Sequence, residues 1–175
     1  FSTKFHTPEY KLGAILPDLA RAAHPEQRIT PHDISETGHI YKGVLAHWAI
    51  DKQFHAGTLL PQFMKEQKAL EKAHNMQPYR AFFFRHLATE LLIDHCLLQS
   101  EPDLDERFYL TMQAISAEAV HQFYDQQTRP ELAPKLLHLL QIFCADQFMR
   151  DYHTLEGVGK SIERVYKRVV KKPTG

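Results

Sequence analysis

Net charge, thiols and long apolar runs are all scarce in this chain, and the last two absences each exclude a class of protein. The 21 basic and 21 acidic side chains cancel, so bulk charge argues neither for nor against nucleic acid or a membrane surface as a partner. No apolar run reaches the roughly 20 residues of a membrane-spanning helix, and no signal-peptide pattern is present. We therefore predict a cytoplasmic location, no binding of nucleic acid and no insertion into a membrane.

Only two cysteines occur, Cys96 and Cys144, and both lie within apolar helical patterns. They are predicted to be buried free thiols of a reducing compartment. A structural zinc site built from thiolates is excluded, because it needs several cysteines close together. A Gly-rich phosphate loop, a nucleophile elbow and a Cys/His catalytic pair are missing as well.

Strictly alternating apolar and polar residues do not extend over strand length, so no sheet is predicted. The 175 residues, of which 43% are hydrophobic, suffice for one domain over residues 1–175 with a sizeable core. We predict an all-α fold, a single-domain bundle of about six to seven helices. The first helical stretch, residues 12–23, is expected to be broken by Gly13 and Pro17. The others cover residues 35–54 with Ser35 as N-cap, 59–73, 77–98, 102–127, 130–152 and a basic segment that ends at 170.

Histidine and aspartate recur every four residues in the second predicted helix. His47, Asp51 and His55 form what we call the first ladder, and His39 and Gly43 precede it on the same helical face. A glycine on that face would let another backbone or a metal approach closely. A lone histidine there would more often be a core residue, but three that share a face with an aspartate favour metal ligation.

A second ladder of His86, Glu90 and Asp94 has the same spacing in the fourth predicted helix. That helix is apolar on nearly every side, so it is expected to be buried. Buried carboxylates need positive charge nearby. A divalent cation would supply it; alternatively Arg80 or Arg85 supplies it, or the polar stripe is merely solvated. Two ladders that face each other would form a cage for divalent cations.

Asp18 is a further candidate ligand, because it interrupts an apolar run next to Pro17; alternatively it caps the next helical turn. Imidazole and carboxylate ligands together suit zinc, manganese or iron, so a divalent metal of this kind is the predicted cofactor. His95 points about 100° away from Asp94 and is predicted either to support a ligand or to belong to the core.

The remaining histidines and acids are weaker candidates. His121, His138 and His153 stand singly in later helices and are predicted to be core or surface residues. The acidic cluster over residues 101–106 is expected to decorate a helix start, where the helix dipole favours negative charge.

The first ladder, with Gly43 before it, resembles the Gly-x-x-x-His-x-x-x-Asp helix of the acyl-carrier-protein phosphodiesterase family, an all-helical relative of the HD-domain phosphohydrolases. The second ladder is similar to that family's Asp-x-x-x-Asp-His segment, with His95 in the last position and Glu90 in place of the first Asp. The family's early Gly-x-x-x-Asp is matched by residues 13–18 with one extra residue. A later aromatic–Leu–acid–Gly turn is similar to residues 151–158.

The resemblance spans residues 12–168 in the same order and implies an HD-domain-like fold. It also implies a reaction, the metal-dependent removal of the phosphopantetheine arm from acyl carrier protein. The expected chemistry is hydrolysis of a phosphodiester by water activated at a divalent metal. The predicted catalytic residues are Asp18, His47, Asp51, Glu90 and Asp94, and His55 and His86 complete the predicted metal ligands.

The last predicted helix is rich in basic residues, which outnumber Glu156 and Glu163. Because acyl carrier proteins are acidic, the resemblance makes this helix a predicted docking surface for acyl carrier protein. A solvated helix with a basic carboxyl end, favoured by its own dipole, is the alternative. The basic residues are Lys160, Arg164, Lys167, Arg168, Lys171 and Lys172.

The chain departs from the family pattern after the first-ladder histidine. Trp48 and Ala49 stand where the family usually has basic residues, and His55 stands where it has Asp. The His86–Glu90 step is equally similar to zinc-dependent phospholipase C and its nuclease relatives. Two alternatives therefore stay open: a related metallohydrolase that acts on another phosphoester, or a non-catalytic helical domain whose ladder is structural or binds metal without turnover.

Overall fold

The computed structural model describes residues 7–23, 29 and 38–171, and no strand occurs among them. The prediction of an all-α fold is confirmed, with eight α-helices in the described chain rather than six or seven. The helices are α1 Pro8–Ala23, α2 His39–Ala56, α3 Leu59–Ala73, α4 Ala81–Ser100, α5 Leu104–Gln113, α6 Ala117–Gln126, α7 Ala133–Asp146 and α8 Leu155–Lys171. Two 3₁₀ helices cover Pro130–Leu132 and Phe148–His153. The predicted N-cap Ser35 lies outside the described residues.

The additional helix arises because the segment predicted as one helix over residues 102–127 is interrupted. Ser116 has an extended backbone with ψ of 127°, and its hydroxyl accepts a hydrogen bond from the Ala119 amide at 3.4 Å. A residue in this conformation ends helical hydrogen bonding before it and caps the helix that follows. The predicted helix over residues 130–152 is also interrupted, at Gln147, whose φ of +43° is left-handed.

The predicted break in α1 is wrong, since this helix continues through both Gly13 and Pro17. Proline inside a helix removes one backbone hydrogen bond and crowds the preceding turn. Burial offsets this cost, because Leu12, Leu16 and Leu19 lie on one side of the helix and are almost fully buried.

The described residues group into two compact units, and the predicted single domain stays a prediction. Unit 1 is drawn from Phe1–Gln53 and Glu106–Gln147, and unit 2 from Phe54–Asp105 and Phe148–Gly175. In unit 1, α1 and α6 pack against α7. The core of unit 1 includes Leu12, Leu16, Val44, Val120, Phe123, Leu136 and Leu140.

Unit 2 contains α3, α4, α8 and the second 3₁₀ helix, and α4 contacts each of the other three. Its smaller core is formed by Leu91, Leu98, Tyr152 and Val158. The start of α8 lies so close to the second 3₁₀ helix that a Cβ added at Gly157 would meet a backbone carbonyl oxygen. No helix in the described part of the chain is long and apolar enough to cross a membrane.

Two predictions of burial in α4 are corrected. Cys96 was predicted to be buried but is exposed, whereas Cys144, in α7, is half-buried. The helix is buried on one side only, and Phe82 keeps 68% of its surface exposed. The reason is that α4 packs against partners along one face, where Ala88, Thr89, Leu91 and Leu98 are buried.

Thr154 caps α8, because its hydroxyl accepts a hydrogen bond from the Gly157 amide at 3.0 Å. We expect Thr154→Ala to lower the free energy of unfolding by about 1 kcal/mol, since it leaves an amide of the first turn without its partner. Thr154→Ser keeps the hydroxyl and should change the free energy by a few tenths of that amount. Urea denaturation of both variants measures the difference, and equal losses would contradict a role of the hydroxyl as cap.

Candidate functional site

The crossing of α1 and α2 is set by two glycines of unit 1. A Cβ added at Gly43 would lie 2.0 Å from the Tyr10 carbonyl oxygen, and one added at Gly13 would lie 2.0 Å from the Ile40 carbonyl oxygen. The backbones of α1 and α2 are therefore in contact. A close approach of another backbone was predicted from the position of Gly43 on the ladder face. This contact brings Ala14 of α1 next to the first ladder of α2.

His47 is held by that contact. Its Nδ1 lies 2.9 Å from the Ala14 carbonyl oxygen. A carbonyl oxygen only accepts hydrogen bonds, so Nδ1 carries the proton and donates it. The neutral imidazole then presents the lone pair of Nε2. Metal-binding histidines are typically oriented in this way, by a hydrogen bond from the other ring nitrogen.

Asp18 lies on the open side of the same histidine. The His47 Nε2 is 4.0 Å from the Asp18 Oδ2, which is too long for a hydrogen bond. The Asp18 side chain is 78% exposed, whereas the His47 side chain is only 17% exposed. Asp51, one helical turn beyond His47, and His39 are both exposed. Unit 1 thus brings together one carboxylate and one oriented imidazole from the predicted ligands.

The second ladder lies in unit 2, where His86 is its most engaged member. The His86 Nε2 lies 2.8 Å from the Glu90 Oε1, so the ring donates to the carboxylate along one turn of α4. The His55 ring is 4.9 Å from the His86 ring, measured between centroids. The Phe54 and Phe82 rings lie 6.5 Å and 6.2 Å from the His86 ring, also measured between centroids. His55 and the second ladder are therefore neighbours in unit 2.

Asp94 is the carboxylate most in need of positive charge. It is half-buried, and no hydrogen bond or ion pair between described residues includes it. Burial, together with the nearby negative charge of Glu90, raises the pKa of Asp94 from 3.8 to about 6. Ionisation of Asp94 therefore costs more free energy in the folded chain than in water, and a nearby cation would offset that cost.

The arginines that could have neutralised the second ladder are engaged elsewhere. Arg85 binds Glu71 of α3 through Nε, at 3.0 Å and 3.1 Å from the two carboxylate oxygens, and through Nη2 at 2.6 Å. Arg80 lies over the ring of Tyr79. The alternative of an arginine-paired stripe has no support in these contacts.

His95 and His153 have partners that sequence reasoning did not identify. The His95 Nδ1 donates to the Tyr152 carbonyl oxygen at 2.7 Å, so this ring presents the Nε2 lone pair as His47 does. The His153 Nε2 lies 3.3 Å from the Oδ1 of Asp105, whose side chain is 8% exposed. Asp105 belongs to the acidic cluster that was expected to decorate a helix start. The order of residues gives no sign of this pair, because 47 intervening residues separate its members and tertiary packing alone joins them.

Comparison with known proteins adds the decisive observation. The model of the family described as acyl carrier protein phosphodiesterase matches residues 2–174. The chain belongs to this family. No curated protein and no solved structure matches it. The resemblance stated from the two ladders is thereby confirmed at the level of family, and the likeness to HD-domain proteins stays a prediction.

The predicted cofactor is a divalent cation, and the donors that are present have to fit it. The described residues contain no group of three His, Cys, Asp or Glu side chains close enough to hold a metal. They do contain an imidazole whose Nε2 lone pair is oriented, at His47, and a half-buried carboxylate without a hydrogen bond, at Asp94. Nitrogen and oxygen donors of these types fit zinc, manganese or iron.

The two sets of candidate ligands belong to different units. Asp18, His47 and Asp51 lie in unit 1, and His55 and the second ladder lie in unit 2. The predicted cage of facing ladders therefore stays a prediction, as does each residue's role as a ligand. A mainly apolar cleft of about 370 Å³ in unit 1, lined by Met112, Leu137 and Cys144 among others, includes none of these residues.

Proposed function

We propose that this chain hydrolyses the phosphodiester that joins the phosphopantetheine arm to acyl carrier protein, and that it uses a divalent cation to do so. The observation that carries the proposal is the family match over residues 2–174. Two observations support the metal dependence: His47 presents the Nε2 lone pair of an oriented imidazole, and a cation would offset the cost of ionising Asp94, which has no positively charged partner among the described residues.

We propose two separate sets of ligands for divalent cations: Asp18, His47 and Asp51 in unit 1, and Glu90 and Asp94 in unit 2. When bound, a divalent cation lowers the pKa of water and offsets the charge of the phosphoryl oxygens. The chain's own residues prepare for this. The Ala14 carbonyl fixes the ring of His47, and the N–H of His86 holds the Glu90 carboxylate in one orientation. The His55 ring lies beside the His86 ring, 4.9 Å away between centroids.

The test of the reaction is the loss of mass from phosphopantetheinylated carrier protein on incubation with the full chain. We expect the chain to release the arm. A chelator should abolish this activity, and added manganese, zinc or iron should restore it. Turnover that resists the chelator would contradict the metal dependence. Turnover of a bis-aryl phosphate without turnover of carrier protein would indicate another phosphoester as the substrate.

Metal content identifies the ligands independently of the substrate. We expect Asp51→Ala and Asp94→Ala to lose the bound metal and to lower turnover at least about 100-fold, since each removes a charged donor. Asp125→Ala, at an exposed carboxylate of α6, is the matched control and should keep both. Elemental analysis of the three purified variants gives the answer. A full complement of metal in both ladder variants would refute the assignment.

A further inference from the structure

The exposed side of α3 carries positive charges that form no ion pair with the residues that the structure describes. Lys65, Lys68 and Lys72 are three and four residues apart, so they lie along one side of the helix. All three are exposed, and none takes part in an ion pair between described residues. We call these three residues the α3 lysine face.

Neither acidic residue in the same stretch of α3 cancels this face. Glu71, beside Lys72 in sequence, is buried, and its carboxylate is occupied by Arg85. Glu66 accepts a hydrogen bond from Gln62 at 3.3 Å and points about 100° around the helix from Lys65. The lysine face therefore presents three positive charges to solvent.

The basic helix α8 differs, although the sequence favours it as the docking surface. Three of its cations are held by acids of unit 2. Among the α8 cations whose side chains the structure describes, Arg168 alone has no such partner. Each of these acids offsets the charge of the cation that it binds. The helix α8 therefore attracts an acidic partner less than its number of basic residues suggests. The ion pairs are Lys160–Glu156 at 2.7 Å, Lys167–Glu163 at 2.6 Å and Arg164–Asp151 at 3.1 Å.

Exposed apolar side chains follow the α3 lysine face along the chain. Met76, Tyr79 and Phe82 lie in the connection to α4 and in its first turn, and all are exposed. Apolar contacts beside complementary charge are typical of protein interfaces. Phe82 also links this stretch to the candidate ligands, because its ring lies 6.2 Å from that of His86.

We propose that the α3 lysine face, together with Met76, Tyr79 and Phe82, is the docking surface for the acidic carrier protein. The inference rests on the proposed function, because the occupant is its substrate. The lysines steer and orient the acidic partner, and the apolar residues form the contact. A partner seated there carries its prosthetic arm past Phe82 towards the second ladder.

The experiment compares two triple variants with the same change in charge. Lys65→Gln/Lys68→Gln/Lys72→Gln removes the α3 lysine face, and a second triple replaces Lys160, Arg164 and Lys167 of α8 by Gln. Glutamine has nearly the helix propensity of lysine and arginine, so both variants should fold. The readouts are KM for phosphopantetheinylated carrier protein, turnover of a bis-aryl phosphate, and calorimetric binding of arm-free carrier protein, which is not a substrate.

We expect the α3 variant to raise KM and to weaken the binding of arm-free carrier protein about tenfold, with turnover of the bis-aryl phosphate unchanged. Its binding should also depend less on salt than that of the wild type. The α8 variant should differ from the wild type by less than about threefold. Equal losses in both variants, an unchanged α3 variant, or a wild type that does not bind arm-free carrier protein would each overturn the proposal. Binding that depends on the lysine face without any turnover would instead refute the proposed reaction alone.

Discussion

Gly43→Ala is expected to destabilise unit 1 by more than about 3 kcal/mol, although alanine is the better helix former. The added Cβ would lie 2.0 Å from the Tyr10 carbonyl oxygen and 2.8 Å from the Gly13 Cα, and both atoms belong to backbone that cannot rotate away. The helices α1 and α2 must then separate. Separation also lengthens the bond from His47 to the Ala14 carbonyl, so turnover should fall even in the molecules that remain folded.

Chemical denaturation of a matched set checks this expectation. Gly159→Ala, within α8, is the control, because a Cβ there meets nothing within 4 Å and should add up to about 1 kcal/mol of stability. The Gly13→Ala/Gly43→Ala double variant should lose less than the sum of the two single losses, since one separation accommodates both methyl groups. A Gly43→Ala variant as stable as the wild type would show that α1 and α2 do not cross at these glycines.

The periodicity of apolar residues predicted the fold class and the position of most helices, because burial of one face is a local property of sequence. Residues 59–73 were predicted as a helix and form α3 with the same bounds. Predictions failed where a single residue competes with its neighbours. The burial of Leu12 and Leu16 keeps α1 intact despite Pro17, and the extended backbone of Ser116 divides a segment whose apolar pattern continues.

The candidate site was predictable in its residue types but not in its contacts. Spacing by four residues placed His86 and Glu90 on one face of α4, where they do bind each other. It did not reveal that the Ala14 carbonyl orients His47, or that Arg85 is drawn away from the second ladder by Glu71. Both contacts join residues from different helices, and their formation depends on how close the backbones approach.

Asp94→Asn should make the metal-free chain more stable and less active. The pKa of Asp94 is raised by burial from 3.8 to about 6, so the folded wild type loses stability as pH rises from about 4 through 6. A pKa difference of this size between the folded and the unfolded chain lowers the free energy of unfolding by at most about 3 kcal/mol once the carboxyl group is ionised. Asparagine has no charge to bury. The variant should therefore equal the wild type near pH 4 and exceed its free energy of unfolding at pH 8.

The measurement that isolates this effect is denaturation at pH 4 and pH 8 with a chelator present, followed by the same titration with excess cation. Cation should stabilise the wild type at pH 8, because it neutralises the ionised Asp94, and should leave the Asp94→Asn variant nearly unchanged. Asp125→Asn, at an exposed position, controls for the change in net charge. A difference between Asp94→Asn and wild type that is the same at both pH values, or equal stabilisation of both by cation, would mean that this carboxylate serves neither as a buried charge nor as a ligand. A gain in stability that accompanies a loss of turnover would instead be the mark of a residue retained for its chemistry.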